Sequence, residues 1–340
     1  MKAIVTGATG FTGSALCRRL VNEGWSVTAF VRPSPRVEPL KALGVDCVEV
    51  DITDYESVRG AMRPVDYVFH IAALFRTETP DRDLFRRVNA EAVGHMARAA
   101  QEVGVGRFVH CSTVGVQGHI EEPPADEAYR PKPNDHYQGT KWEGEQIARR
   151  HIAAGLPGVV VRPAGIYGPG DLRFLKLFKT IDRGMFVMIG DGKTLYHLTY
   201  IDDLVDGFLL AATKPEALGE VFTIAGPRYT SIQEMVETIA AVLGRKPPRL
   251  RIPLRPVQIA ATLCEAACRP LGINPPLYPR RVEFFAMDRA FTTEKARRLL
   301  GYEPSYDIEA GFAKTADWYR AQGLIGSNVR RLRAAGAPKP

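Results

Sequence analysis

Tyr137 and Lys141 make the only Tyr-x3-Lys pair among the twelve tyrosines of the chain. On a helix, residues i and i+4 share a face. An ammonium beside a phenol stabilises phenolate and lowers the tyrosine pKa. Such a phenol exchanges a proton with a substrate hydroxyl or carbonyl near neutral pH. The same spacing also decorates ordinary helix surfaces, so it needs company. Upstream lies Val109-His110-Cys111-Ser112-Thr113, at the end of a predicted strand. A hydroxyl there can hydrogen-bond the substrate oxygen and polarise it.

A second constellation opens the chain. Ile4 to Gly13 reads Ile-Val-Thr-Gly-Ala-Thr-Gly-Phe-Thr-Gly, with Gly7, Gly10 and Gly13 each three residues apart. A β-branched run precedes the glycines, and an amphipathic pattern (Leu16, Leu20, Val21) follows. That is strand, tight turn and helix N-terminus. Glycines let backbone approach a pyrophosphate, and the free N–H groups of the helix start attract its charge. The alternative is a tight turn with no ligand.

These groups need elements to position them, and the spacing supplies a rhythm. Strand-like runs fall at 2–6, 26–31, 46–50, 66–71, 106–111 and 158–163. Helical patterns fill 11–23, 54–62, 83–103 and 136–154. Alternation at this spacing predicts an α/β fold, a Rossmann-type doubly wound parallel sheet with ligands at the carboxyl ends of its strands. This dinucleotide-binding unit spans 1–165. From 166 to 322 the rhythm changes to a smaller, mainly substrate-binding region whose strands partly return to the sheet. Helices are expected at 171–183, 202–212 and 231–243, a strand at 219–224, and another helix at 252–269. Residues 323–340 read as a basic, disordered tail.

The composition fits a globular enzyme: 45% hydrophobic and 24% charged residues in a chain of 340. The net charge is +7, but the stretch 327–340 holds Arg330, Arg331, Arg333 and Lys339 and no acid. Without those four the body carries only +3. The basicity is largely tail, which argues against a nucleic-acid partner. The five cysteines are scattered and odd in number, as in a reducing cytosol, and no His/Cys spacing suggests a metal. A strand at Lys2 leaves no room for a signal peptide, and no apolar run approaches a ~20-residue membrane span. A cytoplasmic location is expected.

The motifs together resemble the extended short-chain dehydrogenase/reductase family, over residues 1 to about 322. Its Thr-Gly-x2-Gly-x2-Gly stands at Thr6 to Gly13, and its acidic residue beside adenine at Asp51, followed by Ile52. Its Ala-Ala after the fourth strand is Ala72-Ala73, and its helix asparagine is Asn89. Arg162 to Gly170 is similar to the run that packs on the nicotinamide. The resemblance implies a nicotinamide dinucleotide held by Gly7, Thr9, Gly10, Phe11, Thr12 and Gly13. Around it would lie Arg32, Asp51, Ile52, Ala72, Ala73, Asn89, Pro163 and Ile166, with Tyr137 and Lys141. Tyr137 would then exchange the proton and Lys141 tune it. Counting back from Gly118, the substrate-holding hydroxyl falls on Thr113, with Ser112 as backup.

Val31 stands where NAD-specific relatives place an acid, and Arg32 and Arg36 follow. A guanidinium can grip a 2′-phosphate, so NADP is expected over NAD. Nucleotide-sugar relatives carry an asparagine where this chain has Gly165 and an arginine where it has Tyr196. Arg280 or Arg281 could still supply a second arginine, off by one in spacing. The second half resembles the 3β-hydroxysteroid dehydrogenase and sterol-4-carboxylate branch in Phe186 to Lys193, Tyr200 to Asp203 and Phe291 to Tyr302. An apolar, sterol- or lipid-like ketone or alcohol is therefore the expected small-molecule substrate. The alternatives are a nucleotide-sugar epimerase or dehydratase with tightly bound NAD, and a non-catalytic nucleotide sensor. Some relatives carry a membrane-embedded helix near 253–270. Here a packed core helix is expected, with peripheral membrane contact or a roof over an apolar pocket as the alternatives. Helices 83–103 and 136–154 resemble the dimerising pair of relatives, which implies a homodimer.

Overall fold

Seven parallel strands form the central sheet in the order β7-β6-β5-β4-β1-β2-β3. They are β1 (Lys2–Thr6), β2 (Ser26–Val31), β3 (Asp46–Glu49), β4 (Tyr67–His70), β5 (Arg107–Cys111), β6 (Gly158–Pro163) and β7 (Val221–Ile224). The computed structural model describes residues 1–75, 81–268, 270, 273 and 275–326, without the side chain of Arg280. β5, β6 and β7 are buried at every residue, as strands covered on both faces must be. Strand order reverses between β1 and β4. At such a switch point the loops diverge to opposite faces and leave a crevice.

Nine of the helices carry the argument: α1 (Phe11–Asn22), α2 (Tyr55–Ala61), α3 (Ala92–Val103), α4 (His136–Ala153), α5 (Leu175–Asp182), α6 (Ile201–Thr213), α7 (Ile232–Val242), α8 (Leu254–Cys268) and α9 (Ile308–Ala321). One sheet face packs Leu16, Leu20, Phe208 and Phe222. The other packs Val58, Met96, Ala100 and Phe108. A further cluster gathers Phe178, Ile239, Phe312 and Tyr319 from α5, α7 and α9, and reaches Ile325. Beyond Gly326 the basic tail lies outside the described residues.

The expected strands and helices of the first half are present within a residue or two, apart from 83–103. That stretch is Arg82–Arg86, a five-residue π turn at Arg87–Glu91, and then α3. A π turn inserts an extra residue and re-aims the side chains around it; here it carries Asn89. In the second half, three short strand pairs escape periodicity because two or three residues show no period. Gly165–Tyr167 runs parallel to Leu198–Tyr200, Met188–Ile189 parallel to Arg251–Ile252, and Leu195–Tyr196 antiparallel to Thr230–Ser231.

One expectation fails. Stretch 252–269 was expected to pack as a core helix, but α8 buries only Ala261 and exposes Ile259 and Leu263 at 62% and 65%. Its apolar residues are too evenly spread, and Arg255, Gln258 and Glu265 interrupt any continuous buried face. Among the described residues, no helix is long and apolar enough to cross a membrane.

Candidate active site

The loop after β1 is built so that only glycine fits. Gly7 has φ +72°, and a Cβ there would stand 2.8 Å from Ala72 N. A Cβ on Gly13 would meet Gly7 O at 2.2 Å, so the first turn of α1 lies directly on the loop. Gly10 caps α1 in extended conformation with no side chain over the helix N-terminus. Thr6 ties this loop to the one after β4: its Oγ1 accepts from Ile71 N at 3.2 Å and Ala72 N at 3.1 Å. With both acceptor positions taken, the Thr6 hydroxyl donates to His70 Nδ1 at 2.9 Å, which leaves the proton of a neutral His70 on Nε2. The result is a backbone cradle beside a helix N-terminus, open to a pyrophosphate. Thr9, Phe11, Thr12 and Ala72 are half-buried around it and Ala73 is exposed. A dinucleotide's pyrophosphate fits this surface, where the start of α1 carries no capping side chain and its main-chain N–H groups are left to an anion.

At the far edge of the cradle, Asp51 accepts from Thr53 Oγ1 at 2.7 Å and Thr53 N at 2.9 Å. These bonds, with Arg32 and Arg87 nearby, hold its carboxyl below the usual range. Ile52 O lies 3.2 Å from His95 Nδ1, which fixes the same loop against α3. Arg32 is exposed at the end of β2. Asn89, by contrast, is fully buried. Its Oδ1 accepts from Leu74 N at 2.7 Å, and its Nδ2 donates to Leu74 O and Thr140 Oγ1, both at 3.1 Å. It therefore pins the loop after β4 onto α4, with both of its Nδ2 protons engaged.

Tyr137 sits in the first turn of α4, which Asp135 caps by accepting from Gln138 N at 2.8 Å. Its half-buried ring meets Phe75 edge-on at 4.8 Å between centroids. One turn on, Lys141 is buried, and its Nζ donates to Cys111 O at 2.7 Å. Burial lowers its pKa, against the raising influence of Cys111 and Glu145. Thr113 follows Cys111 and Ser112 at the end of β5. It is half-buried, and its Oγ1 accepts from Gly115 N at 3.1 Å, so the hydroxyl proton is left to donate.

Ser112 points elsewhere. Its hydroxyl donates to Glu145 Oε2 at 2.6 Å in a buried network. Arg162 grips the same carboxylate with Nε at 3.0 Å and Nη2 at 2.7 Å, the pair being 2% and 0% exposed. This ion pair joins β5, β6 and α4 and so fixes Thr113 relative to Tyr137. Sequence inspection missed Glu145, although two signals were present. Positions 137, 141 and 145 form one helical stripe, and Arg162 ends an otherwise apolar strand.

Beyond β6, Pro163 is buried, and half-buried Ile166 lies in the short strand that pairs with Leu198–Tyr200. Gly165 has no room for a side chain: a Cβ would stand 2.8 Å from Tyr196 Cε1 and 2.9 Å from Leu198 Cδ2. Tyr196 in turn packs on Phe284, with ring centroids 5.2 Å apart. Arg281 stacks on Tyr278 and donates to Pro276 O. The Arg280 side chain lies outside the described residues.

The NAD dependent epimerase/dehydratase family matches residues 3–225. A 3-beta-hydroxysteroid dehydrogenase of Mycolicibacterium neoaurum is 32% identical over 336 residues, 94% of this chain and 91% of its own. A 2-alkyl-3-oxoalkanoate reductase of Stenotrophomonas maltophilia is 31% identical, covering 92% of this chain and 98% of its own. The crystal structure of gox2253 shares the fold with a TM-score of 0.81 at 26% identity, over 95% of this chain and 99% of that one. The chain belongs to the NAD-dependent epimerase/dehydratase family, as an NAD-binding enzyme of its extended short-chain dehydrogenase/reductase branch.

Proposed function

We propose that this protein interconverts a secondary alcohol and a ketone on an apolar, sterol- or lipid-like substrate. The observation that carries the substrate class is the Tyr196 ring lying on Gly165, with no space for a side chain between them. Where nucleotide-sugar relatives place an asparagine and an arginine, this chain offers no side chain at Gly165 and no charge at Tyr196. Losing charge-assisted hydrogen bonds worth ~1.5–3 kcal/mol each weakens any hold on a diphosphate. The hydroxysteroid dehydrogenase and oxoalkanoate reductase among the relatives support an apolar ketone.

The dinucleotide, when bound, supplies or takes up the hydride. Gly7, Gly10 and Gly13 would hold its pyrophosphate, Asp51 its adenosine end and Arg32 a 2′-phosphate. NADP is preferred over NAD because Val31 presents no carboxylate to repel that phosphate. The chain itself has a proton to manage. Tyr137 Oη gives it to the substrate oxygen during reduction and takes it back during oxidation. Lys141 and the N-terminus of α4 both favour the phenolate. Thr113 donates a hydrogen bond to the same substrate oxygen and fixes its distance from Tyr137. Ser112 positions Thr113 through Glu145. We place the enzyme in the cytoplasm as a homodimer joined through α3 and α4; a monomeric mass by light scattering at micromolar concentration would remove the dimer.

The test is a thermal-shift comparison with NADPH present. Apolar ketones and sterols should stabilise the protein, since a ligand at 100 times its Kd adds ~2.7 kcal/mol. UDP and nucleotide sugars should not. Stabilisation by a nucleotide sugar, with none by the ketones, would replace this function with an epimerase or dehydratase.

A further inference from the structure

The wall that carries Tyr196 also carries an unmatched charge. Arg289 bridges to Tyr196 in parallel fashion. Its main chain is held on both sides: its N–H donates to Leu195 O at 2.8 Å, and its carbonyl accepts from His197 N at 2.9 Å. The guanidinium stands over the Tyr196 ring, 5.9 Å from the centroid. The residue is half-buried, and among the described residues its side chain has no carboxylate or hydrogen-bond partner. A guanidinium without a counter-ion is free to pair with an anion on a ligand.

The residues before Arg289 lead toward Tyr137. Asp288 O accepts from Ile120 N at 2.9 Å, and Asp288 N donates to His119 Nδ1 at 3.0 Å. Met287 Sδ accepts from Asn134 Nδ2 at 3.2 Å, on the loop that feeds α4. On the other side lie Tyr196 and Gly165, just beyond the end of β6. Arg289 thus stands between the loop entering the Tyr137 helix and the aromatic wall.

We propose that Tyr196 and Arg289 form one recognition unit for a carboxylate-bearing ketone. The ring packs against the hydrocarbon, and the guanidinium takes the carboxylate. This rests on the alcohol–ketone function proposed above and narrows its substrate to an oxo acid with an apolar chain. A planar guanidinium matches a single carboxylate bidentately. A diphosphate needs more cationic donors than Gly165 and Tyr196 leave on this wall.

Two readouts keep the recognition unit and the reaction apart. Binding of a long-chain alkanoate and of its methyl ester is followed by thermal shift with NADPH present. Turnover is followed with an apolar oxo acid and its methyl ester. The wild type should bind the acid about 10- to 150-fold more tightly than the ester, the worth of one charge-assisted hydrogen bond. Arg289→Met should abolish that preference in binding and in KM, and Arg289→Lys should retain part of it. Equal binding of acid and ester by the wild type would overturn the proposal, even if Arg289→Met fails to fold. So would an acid preference that survives in Arg289→Met, or UDP binding as tight as the acid. Acid-selective binding lost in Arg289→Met, with no turnover of any ketone, would uphold Arg289 as a carboxylate site and overturn the ketone function instead.

Discussion

Two adjacent hydroxyls, Ser112 and Thr113, could serve the substrate, and their surroundings assign them different work. The Ser112 proton is spent on Glu145, whereas Thr113 keeps its own to donate. Thr113→Val should therefore lower turnover by ~10²–10³, the usual loss for one oxygen-stabilising donor. Ser112→Ala should instead cost ~1–3 kcal/mol of stability by leaving the buried carboxylate short of a donor. Steady-state rates and urea unfolding of both variants decide this, and the reverse pattern would return the role to Ser112. Arg32 bears on the cofactor in the same way. Arg32→Asp removes the partner of a 2′-phosphate and offers an acceptor to the ribose of NAD. The ratio of Kd for NADP to that for NAD should rise, and an unchanged ratio would leave Arg32 a surface residue.

Between elements, two buried devices hold the site together. Arg162 and Glu145 join β6 to α4, so Glu145→Ala strands a guanidinium in the core and should cost ~3–5 kcal/mol. An unfolding free energy within 1 kcal/mol of wild type, ~1 being the size of an ordinary substitution, would mean that the pair does no such work. The second device is the stacked pair His70 and His110, on neighbouring strands with ring centroids 5.8 Å apart. Burial and the Lys141 charge push His70 down to about 3, and the same causes with His70 take His110 well below 6.5. Both folded values lie below the unfolded one. Their stability contribution is complete above pH 6.5 and is lost as pH falls toward 3, where only the unfolded chain takes up protons. His110→Leu should flatten the fall in unfolding free energy between these limits, and an unchanged slope would contradict the assignment.

Across the whole molecule, the sheet and the glycine cradle were legible in the sequence, because they depend on local regularities. Short apolar runs mark β1 to β6, and the glycine triplet marks a loop where side chains cannot stand. What stayed hidden depends on long-range contact. Glu145 looked like any helical acid, and nothing in the local pattern showed that Asn89, in the π turn, bonds Leu74 and Thr140. The Gly165–Tyr196 contact joins residues far apart in the chain through strands too short to leave a pattern. Helix α8 misled for the opposite reason: apolar composition suggested burial that its spacing does not deliver.

The most direct measurement is net consumption of NADPH or NADH by the purified protein with apolar ketones, in parallel with nucleotide sugars. We expect stoichiometric oxidation with a ketone and none with the sugars. Tyr137→Phe should slow it by ~10²–10⁴, the worth of general acid–base catalysis, with cofactor affinity nearly unchanged. Sugar interconversion without net cofactor change, or more than a tenth of wild-type activity in Tyr137→Phe, would contradict an alcohol–ketone enzyme working through Tyr137.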